Sequence, residues 1–140
     1  MPIESLLRRP AYTLPPDASC REAAQLLSGV GVGCVVVAED GRPLGIVTDR
    51  DLVVRVMAPS RDPESTRLRD VMSAEPVFVA NERSLDQVLA IMRQQRVRRV
   101  PVVDAHGRLE GIIALDDLLP LLADQLGDLA EAIRGGLEAP

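Results

Sequence analysis

The sequence predicts an α+β protein built from two tandem β-α-β-β-α repeats that pack as a pseudo-twofold pair, with an extra C-terminal helix. The main evidence is a motif that occurs twice, as GIVTDRDL over residues 45–52 and as GIIALDDL over residues 111–118. Each copy has a glycine, an apolar pair, a small residue and then an aspartate three positions further on. Halves of roughly 55 residues bury a core poorly on their own, so the two repeats are expected to pack together.

The first repeat opens with a helix-like segment over residues 4–9 and a short strand over residues 12–14. A helix is expected over residues 21–27 because its apolar residues recur at helical spacing. Either Asp17 or Ser19 can cap this helix at its N-terminus.

Three glycines at positions 29, 31 and 33 follow this helix and are expected to end it. They do not indicate a phosphate-binding loop, because such a loop joins a strand to a helix. A buried strand follows over residues 34–37, and Asp40-Gly41 is typical of a tight hairpin turn. The returning strand covers residues 44–47, and a helix is expected over residues 49–57.

The second repeat follows a linker over residues 59–67 that is rich in proline, serine and charge. The segments that correspond are 70–72 with 5–7, 77–79 with 11–13, 84–92 with 19–27, and 100–103 with 34–37. This correspondence places Tyr12 and Phe78 at the same repeat position and matches Val35 with Pro101. The expected organisation is a first repeat over 1–58, the linker, a second repeat over 68–122, and a helix and tail over 123–140.

The tail carries apolar residues at helical spacing, which predicts an amphipathic helix. These residues are Leu118, Leu122, Leu126, Leu129 and Ile133. The Gly135-Gly136 pair is expected to stop the helix. The pattern leaves two roles open: the helix covers the core of its own chain, or it packs across a dimer.

Composition excludes several classes of function. The net charge is −5 and all 16 basic residues are arginine, so neither a Walker-type phosphate loop nor a Schiff-base lysine is present. An acidic chain with one tyrosine and one phenylalanine is a poor candidate for nucleic-acid binding. No apolar run approaches the roughly 18 residues of a membrane span, and no secretory signal is evident, so a cytoplasmic protein is expected.

Metal and catalytic sites are not expected either. Cys20 and Cys34 are 14 residues apart and are interpreted as reduced, buried residues. His106, the single histidine, falls in a predicted turn. These residues supply neither a metal-binding cluster nor a histidine-based triad, so an enzyme is not expected.

The repeated motif has two interpretations. Thr48 and Asp51 fit a capping box, in which the threonine caps a helix and the acid lies at the third helical position. The same pair fits a nucleotide site, with phosphate at the helix N-terminus and a ribose diol on the carboxylate. Ala114 cannot cap a helix although Asp117 is still present, which weakens the purely structural interpretation.

The two motifs, together with RRVPVVD over residues 98–104, resemble a pair of cystathionine-β-synthase (CBS) domains, the Bateman module. The resemblance covers about residues 3–122 and is strongest to small stand-alone bacterial proteins built of two CBS domains. It implies a non-enzymatic regulatory homodimer that requires no cofactor and acts on an effector protein. It also implies an adenosine ligand in the clefts between the repeats, with AMP or ATP favoured over ADP, S-adenosylmethionine and NADH. The alternative is a dimerisation scaffold that has lost its ligand.

The resemblance also implies which residues bind the ligand. Phosphate and ribose contacts carry over to Thr48, Asp51 and Asp117, and the site on Thr48 and Asp51 is expected to bind better because Ala114 lacks a hydroxyl. The positions that match the family's adenine pockets are Tyr12, Thr13 and Val35 in one repeat, and Phe78, Val79 and Pro101 in the other. Val35 departs from the proline that is usual there. Arg99 is either a phosphate clamp or, with Arg98, part of a solvated basic cluster.

Overall fold

The computed structural model describes residues 3–7, 11–74 and 78–138, and it contains two sheets that confirm the predicted α+β fold. The first sheet has the strand order β1 (Thr13–Leu14), β2 (Cys34–Glu39), β3 (Arg42–Thr48) and β4 (Ser73–Ala74). The second has the order β5 (Val79–Ala80), β6 (Arg99–Val103) and β7 (Leu109–Ala114). Both sheets begin with a parallel pair and continue with an antiparallel hairpin.

The helices follow the same repeated order. They are α1 (Cys20–Val30), α2 (Asp49–Leu52), α3 (Leu68–Val71), α4 (Leu85–Gln95) and α5 (Leu115–Glu138). A 3-10 helix covers Ile3–Leu6, and a π-helical turn over Val53–Met57 continues α2. Residues 8–9 of the predicted helix-like segment and the predicted strand residue Val77 lie outside the described residues.

Matching serine caps start the long helix of each repeat. The Ser19 hydroxyl accepts from the backbone N–H of Glu22 at 3.1 Å, so Ser19 rather than Asp17 caps α1. Ser84 caps α4 and forms a capping box with Gln87. Helix α1 continues past Gly29 and ends at Gly31, whose φ of +69° suits glycine.

The two hairpin turns differ in length. Asp40 and Gly41 both have positive φ and form the predicted tight turn. The chain between the paired residues Val102 and Gly111 is one residue longer than that between Val37 and Gly45. The second turn is organised by Asp104, whose carboxylate accepts from the backbone N–H groups of His106 at 2.8 Å and Arg108 at 3.0 Å. The Arg108 N–H is the larger cause of a lowered pKa for the Asp104 carboxyl.

The strand register corrects the repeat correspondence predicted from the sequence. Cys34 pairs with Thr48 in β2 and β3, and Arg99 pairs with Ala114 in β6 and β7. The residue numbers of equivalent positions in the two repeats therefore differ by 65 up to the end of the second strand and by 66 after the hairpin. The extra residue of the second repeat lies in its hairpin turn. Pro101 therefore matches Val36, and the predicted match with Val35 is wrong.

The same offset corrects the predicted equivalence of the two aromatic residues. Leu14 and Val79 occupy equivalent positions, because each pairs with the equivalent residue of the next strand. Phe78 therefore matches Thr13, and the predicted match between Tyr12 and Phe78 is wrong.

Each repeat completes the core of the other. Ile3 is fully buried in the second-repeat core with Val88, Val100 and Ile113. Leu68, its equivalent at the 65-residue offset, is fully buried in the first-repeat core with Ala23, Val37 and Val47. This reciprocal exchange explains how two small halves form one stable unit.

The C-terminal helix is longer than predicted. Helix α5 runs through Gly135 and Gly136 to Glu138, so the expected stop at that pair is wrong. Glycine within a helix costs about 1 kcal/mol relative to alanine, which disfavours a helix without forbidding it.

Candidate functional site

The first copy of the motif forms a complete capping box. The Thr48 hydroxyl accepts from the Asp51 N–H at 3.1 Å, and Asp51 Oδ2 accepts from the Thr48 N–H at 2.9 Å. Asp51 Oδ1 lies 3.8 Å from Arg55 Nη2. The threonine hydroxyl still has its own proton to donate, because a hydroxyl is both donor and acceptor.

The second copy has the same backbone junction without the cap. The Leu115 N–H donates to the Arg98 carbonyl at 2.8 Å, and the equivalent Asp49 N–H donates to the Gly33 carbonyl at 3.2 Å. These bonds tie the start of each motif helix to the residue before the second strand. Ala114 therefore occupies the geometry of Thr48 without its hydroxyl.

The Asp117 cavity lies between the two repeats, and its volume is about 110 Å³. Its second-repeat wall includes Arg99, Ile112, Ala114 and Asp117. Its first-repeat wall includes Tyr12, Gly33, Cys34 and Val36. Ligand pockets typically measure 300–1,000 Å³, so this cavity alone is smaller than a typical ligand pocket.

Arg99 is the cationic side chain of this cavity. Its guanidinium crosses from β6 to the first repeat, where Arg99 Nη2 is 2.9 Å from the point that a Cβ on Gly33 would occupy. Asp49 Oδ2 is 3.8 Å from the same point. A Cβ at position 33 would require the guanidinium to shift slightly, which a flexible arginine side chain can do. Arg98 pairs with Asp116 at 2.7 Å, with both side chains exposed. Asp116 also lines the cavity.

The structure brings together only part of the predicted site. Tyr12, Arg99 and Asp117 line one cavity. Val35 is fully buried and lies on the face of β2 opposite to Cys34 and Val36, so it does not line this cavity.

The other predicted positions lie away from the Asp117 cavity. Val79 and Pro101 are buried, and Phe78 is half exposed. Thr13 lines a separate depression near the first hairpin turn, next to Ala38 and Gly41.

A second cleft follows from the pseudo-twofold relation. The described residues equivalent to the lining of the Asp117 cavity are Cys34, Ile46, Thr48, Arg50, Asp51, Val97, Arg98, Arg99 and Pro101. Positions 76 and 77, which match Ala11 and Tyr12, lie outside the described residues. The Thr48–Asp51 motif of one repeat would therefore face the second strand of the other.

Sequence reasoning missed Val36, Cys34 and Ile112 as cavity residues. A correct register would have found Val36 through its match with Pro101. Alternation along the strands would then have added Cys34, two positions before Val36, on the same face.

The CBS-domain model matches residues 3–58 and 68–124 of this chain. The chain belongs to the CBS-domain family. This confirms the resemblance inferred from the motifs. No helix among the described residues has the length and apolar character needed to cross a membrane.

Relatives share most of this CBS-domain pair. The CBS domain-containing protein YhcV of Bacillus subtilis is 40% identical over 106 residues, which cover 76% of this chain and 74% of YhcV. An uncharacterised protein of Methanopyrus kandleri is 32% identical over 118 residues, covering 84% of this chain; the chain spans 60% of that protein's length.

A solved CBS-domain protein of Pyrobaculum aerophilum, complexed with AMP, superposes with a TM-score of 0.77. It is 29% identical, and the match covers 84% of this chain and 90% of that one.

Proposed function

We propose that this CBS-domain pair is a non-enzymatic regulatory protein that binds an adenosine-containing ligand between its two repeats. The observation that carries the proposal is the Asp117 cavity, which joins the carboxylates of Asp116 and Asp117, the Arg99 guanidinium and apolar strand residues from both repeats. The AMP complex of the Pyrobaculum aerophilum relative supports the ligand class. AMP and ATP are the ligands we favour.

Each side chain has a chemical role in this proposal. Asp117 and Asp51 accept hydrogen bonds from a ribose diol, as acidic residues do in dinucleotide-binding folds. Arg99 donates to phosphate through its planar guanidinium, and Thr48 donates to phosphate in the second cleft. Val36 and Ile112 contact the base in one cleft, and Pro101 does so in the other.

The two clefts are not equivalent in this account. The Thr48–Asp51 cleft has a hydroxyl that the Asp117 cavity lacks. Arg99 and Cys34 are equivalent residues that both line the Asp117 cavity, so the pseudo-twofold relation places the same two residues at the Thr48–Asp51 cleft. We propose that the Thr48–Asp51 cleft binds phosphorylated ligands more tightly.

Ligand binding has regulatory value when it shifts the protein between two arrangements, which requires different affinities for the two. A ligand contacting both repeats at once favours the arrangement in which they are closely packed. The protein is proposed to act as a homodimer, since apolar side chains of its helices are exposed on the single chain. An effector protein would bind one of the two arrangements more tightly than the other.

A ligand-free dimerisation scaffold is the second candidate. It is favoured by the capping box, which satisfies Thr48 and Asp51 without a ligand. Ala114 favours it as well.

Thermal unfolding with AMP, ADP, ATP, S-adenosylmethionine and NADH tests the two candidates. A ligand at about 100 times its dissociation constant adds about 2.7 kcal/mol when it binds only the folded state. Adenosine serves as the control without phosphate, and Arg99→Gln should weaken AMP more than adenosine. No stabilisation by any of these compounds, in a folded dimer, would favour the scaffold.

A further inference from the structure

Arg50 and Asp116 occupy equivalent positions, one at each cleft, and they carry opposite charges. Asp116 lines the Asp117 cavity. The 66-residue difference after the hairpin matches it with Arg50, which the pseudo-twofold relation places at the Thr48–Asp51 cleft. Both side chains are exposed, so neither contributes to the core. Each lies one residue before the aspartate of its motif, beside the expected position of the ribose and of the group attached to it.

A second equivalent pair adds to this contrast. Gly33 lines the Asp117 cavity and matches Arg98 at the 65-residue difference. The other cleft therefore has two arginines where the Asp117 cavity has an acid and a glycine. Arg99 belongs to both linings, so its positive charge does not distinguish the two clefts.

The net charges of the two linings consequently have opposite signs. The lining of the Asp117 cavity includes two aspartates and one arginine, which gives a net charge of −1. Among the described residues, the equivalent lining of the other cleft includes three arginines and one aspartate, which gives +2. Asp49 lies close to both, since its Oδ2 is 3.8 Å from the point that a Cβ on Gly33 would occupy. Adding its charge to either lining leaves both signs unchanged.

The ion pair between Arg98 and Asp116 does not remove the contrast. It joins a residue of one lining to a residue of the other, at 2.7 Å. Both side chains are more than 60% exposed, and ion pairs between exposed side chains contribute little because water screens them. If the pair is counted as neutral, the Asp117 cavity has no net charge and the other cleft remains positive.

This difference in charge selects between ligands, because like charges brought together weaken binding and opposite charges strengthen it. We propose that Arg50 and Asp116 make the two clefts discriminate between adenosine ligands by charge. The Thr48–Asp51 cleft binds polyphosphates such as ATP, and the Asp117 cavity binds an adenosine compound whose 5′ substituent is positively charged, such as the sulfonium of S-adenosylmethionine. The inference rests on the proposed function and adds the ligand class of each cleft.

Titration calorimetry with ATP and S-adenosylmethionine tests which ligand binds in which cleft. Asp117→Asn should weaken S-adenosylmethionine about tenfold and ATP much less, and Asp51→Asn should have the reverse effect. S-adenosylhomocysteine, which lacks the sulfonium charge, should bind more weakly than S-adenosylmethionine. Loss of both ligands in the same variant, or equal binding of the two sulfur compounds, would overturn the proposal.

Charge reversal at the two equivalent positions tests the residues themselves. Arg50→Asp should weaken ATP about tenfold, and Asp116→Arg should weaken S-adenosylmethionine by a similar factor. Uncharged adenosine should respond much less to either variant. The matched controls are Arg93→Asp and Asp124→Arg, which change the net charge equally at exposed helix positions outside both linings. Controls that alter binding as much as the cleft variants would trace the effect to net charge and overturn the proposal.

Salt concentration and the full ligand set separate this inference from the proposed function. The preference of each cleft should fall between about 0.05 M and about 0.5 M salt, because salt screens exposed charges. A preference that salt leaves unchanged would reject charge as its cause. Binding of these compounds without dependence on Arg50 and Asp116 would preserve the adenosine site and reject the discrimination. Failure of folded protein to bind any of them would reject the proposed function itself.

Discussion

The two repeats share a backbone plan but differ at the position where a ligand phosphate would bind. Both tie the start of the motif helix to the residue before the second strand, through Asp49 in one repeat and Leu115 in the other. Thr48 adds a capping box in the first repeat, and Ala114 cannot do so in the second. The junction therefore forms without a cap. The Thr48 hydroxyl is not required for this geometry, which leaves it available for ligand recognition.

The largest expected effect on stability comes from truncating the side chains that each repeat buries in the core of the other. Leu68→Ala and Ile3→Ala each remove a fully buried side chain from the core of the other repeat, which typically costs 2–5 kcal/mol. Urea denaturation followed by circular dichroism should show one cooperative transition at a lower midpoint for each. Loss of only half of the signal in either variant would show that the repeats fold independently.

The hairpin turns provide the next comparison. Gly41 and Gly107 both have φ of +78°, a conformation that costs other residues about 1–2 kcal/mol. Gly41→Ala and Gly107→Ala should therefore lower the free energy of unfolding by about that amount. Gly29→Ala is the matched control, because Gly29 lies within α1 and a Cβ there meets no neighbour within 4 Å. A control as destabilised as the two turn variants would refute the backbone explanation.

Exchanging the residues at the equivalent positions 48 and 114 tests the role of the threonine hydroxyl directly. Thr48→Ala should cost about 1 kcal/mol of stability, and Ala114→Thr should restore a cap to the second repeat. If the hydroxyl also contacts phosphate, Thr48→Ala weakens AMP more than adenosine, and Ala114→Thr strengthens AMP. Titration calorimetry with both ligands measures this. Equal changes for AMP and adenosine would leave the hydroxyl a purely structural role.

The smallest expected effect concerns the longer turn of the second repeat. Backbone N–H donors, first that of Arg108, lower the pKa of Asp104 in the folded state. The stabilisation is therefore present above the unfolded pKa near 3.9 and is lost as pH falls through the lower folded pKa. Asp104→Asn should reduce the drop in urea midpoint between neutral and acidic pH. An unchanged drop would show that other carboxyl groups cause it.

The sequence predicted the architecture because a repeated motif reports on fold directly. It did not predict the register, because Val35, Val36 and Val37 are identical residues and a one-residue slip between repeats leaves the apolar run unchanged. Such a slip moves every side chain to the other face of its strand, which is why Val35 replaced Val36 in the predicted pocket.

The presence of Asp117 and Tyr12 in one cavity could not be predicted from the sequence either. It depends on how the repeats pack, and no local pattern reports on that. The end of α5 was missed for a different reason, since two glycines disfavour a helix by an amount that other interactions can offset.

The measurement that tests the central claim most directly is titration calorimetry of AMP into wild-type protein and the variants Asp51→Asn and Asp117→Asn. Both variants keep the side-chain size, and urea denaturation verifies that they fold. The account predicts binding by the wild type, at least tenfold weaker binding in Asp51→Asn, a smaller loss in Asp117→Asn, and no binding when both are changed. Unchanged affinity in the double variant, or no binding by folded wild-type protein, would contradict a ligand site built on the two repeated aspartates.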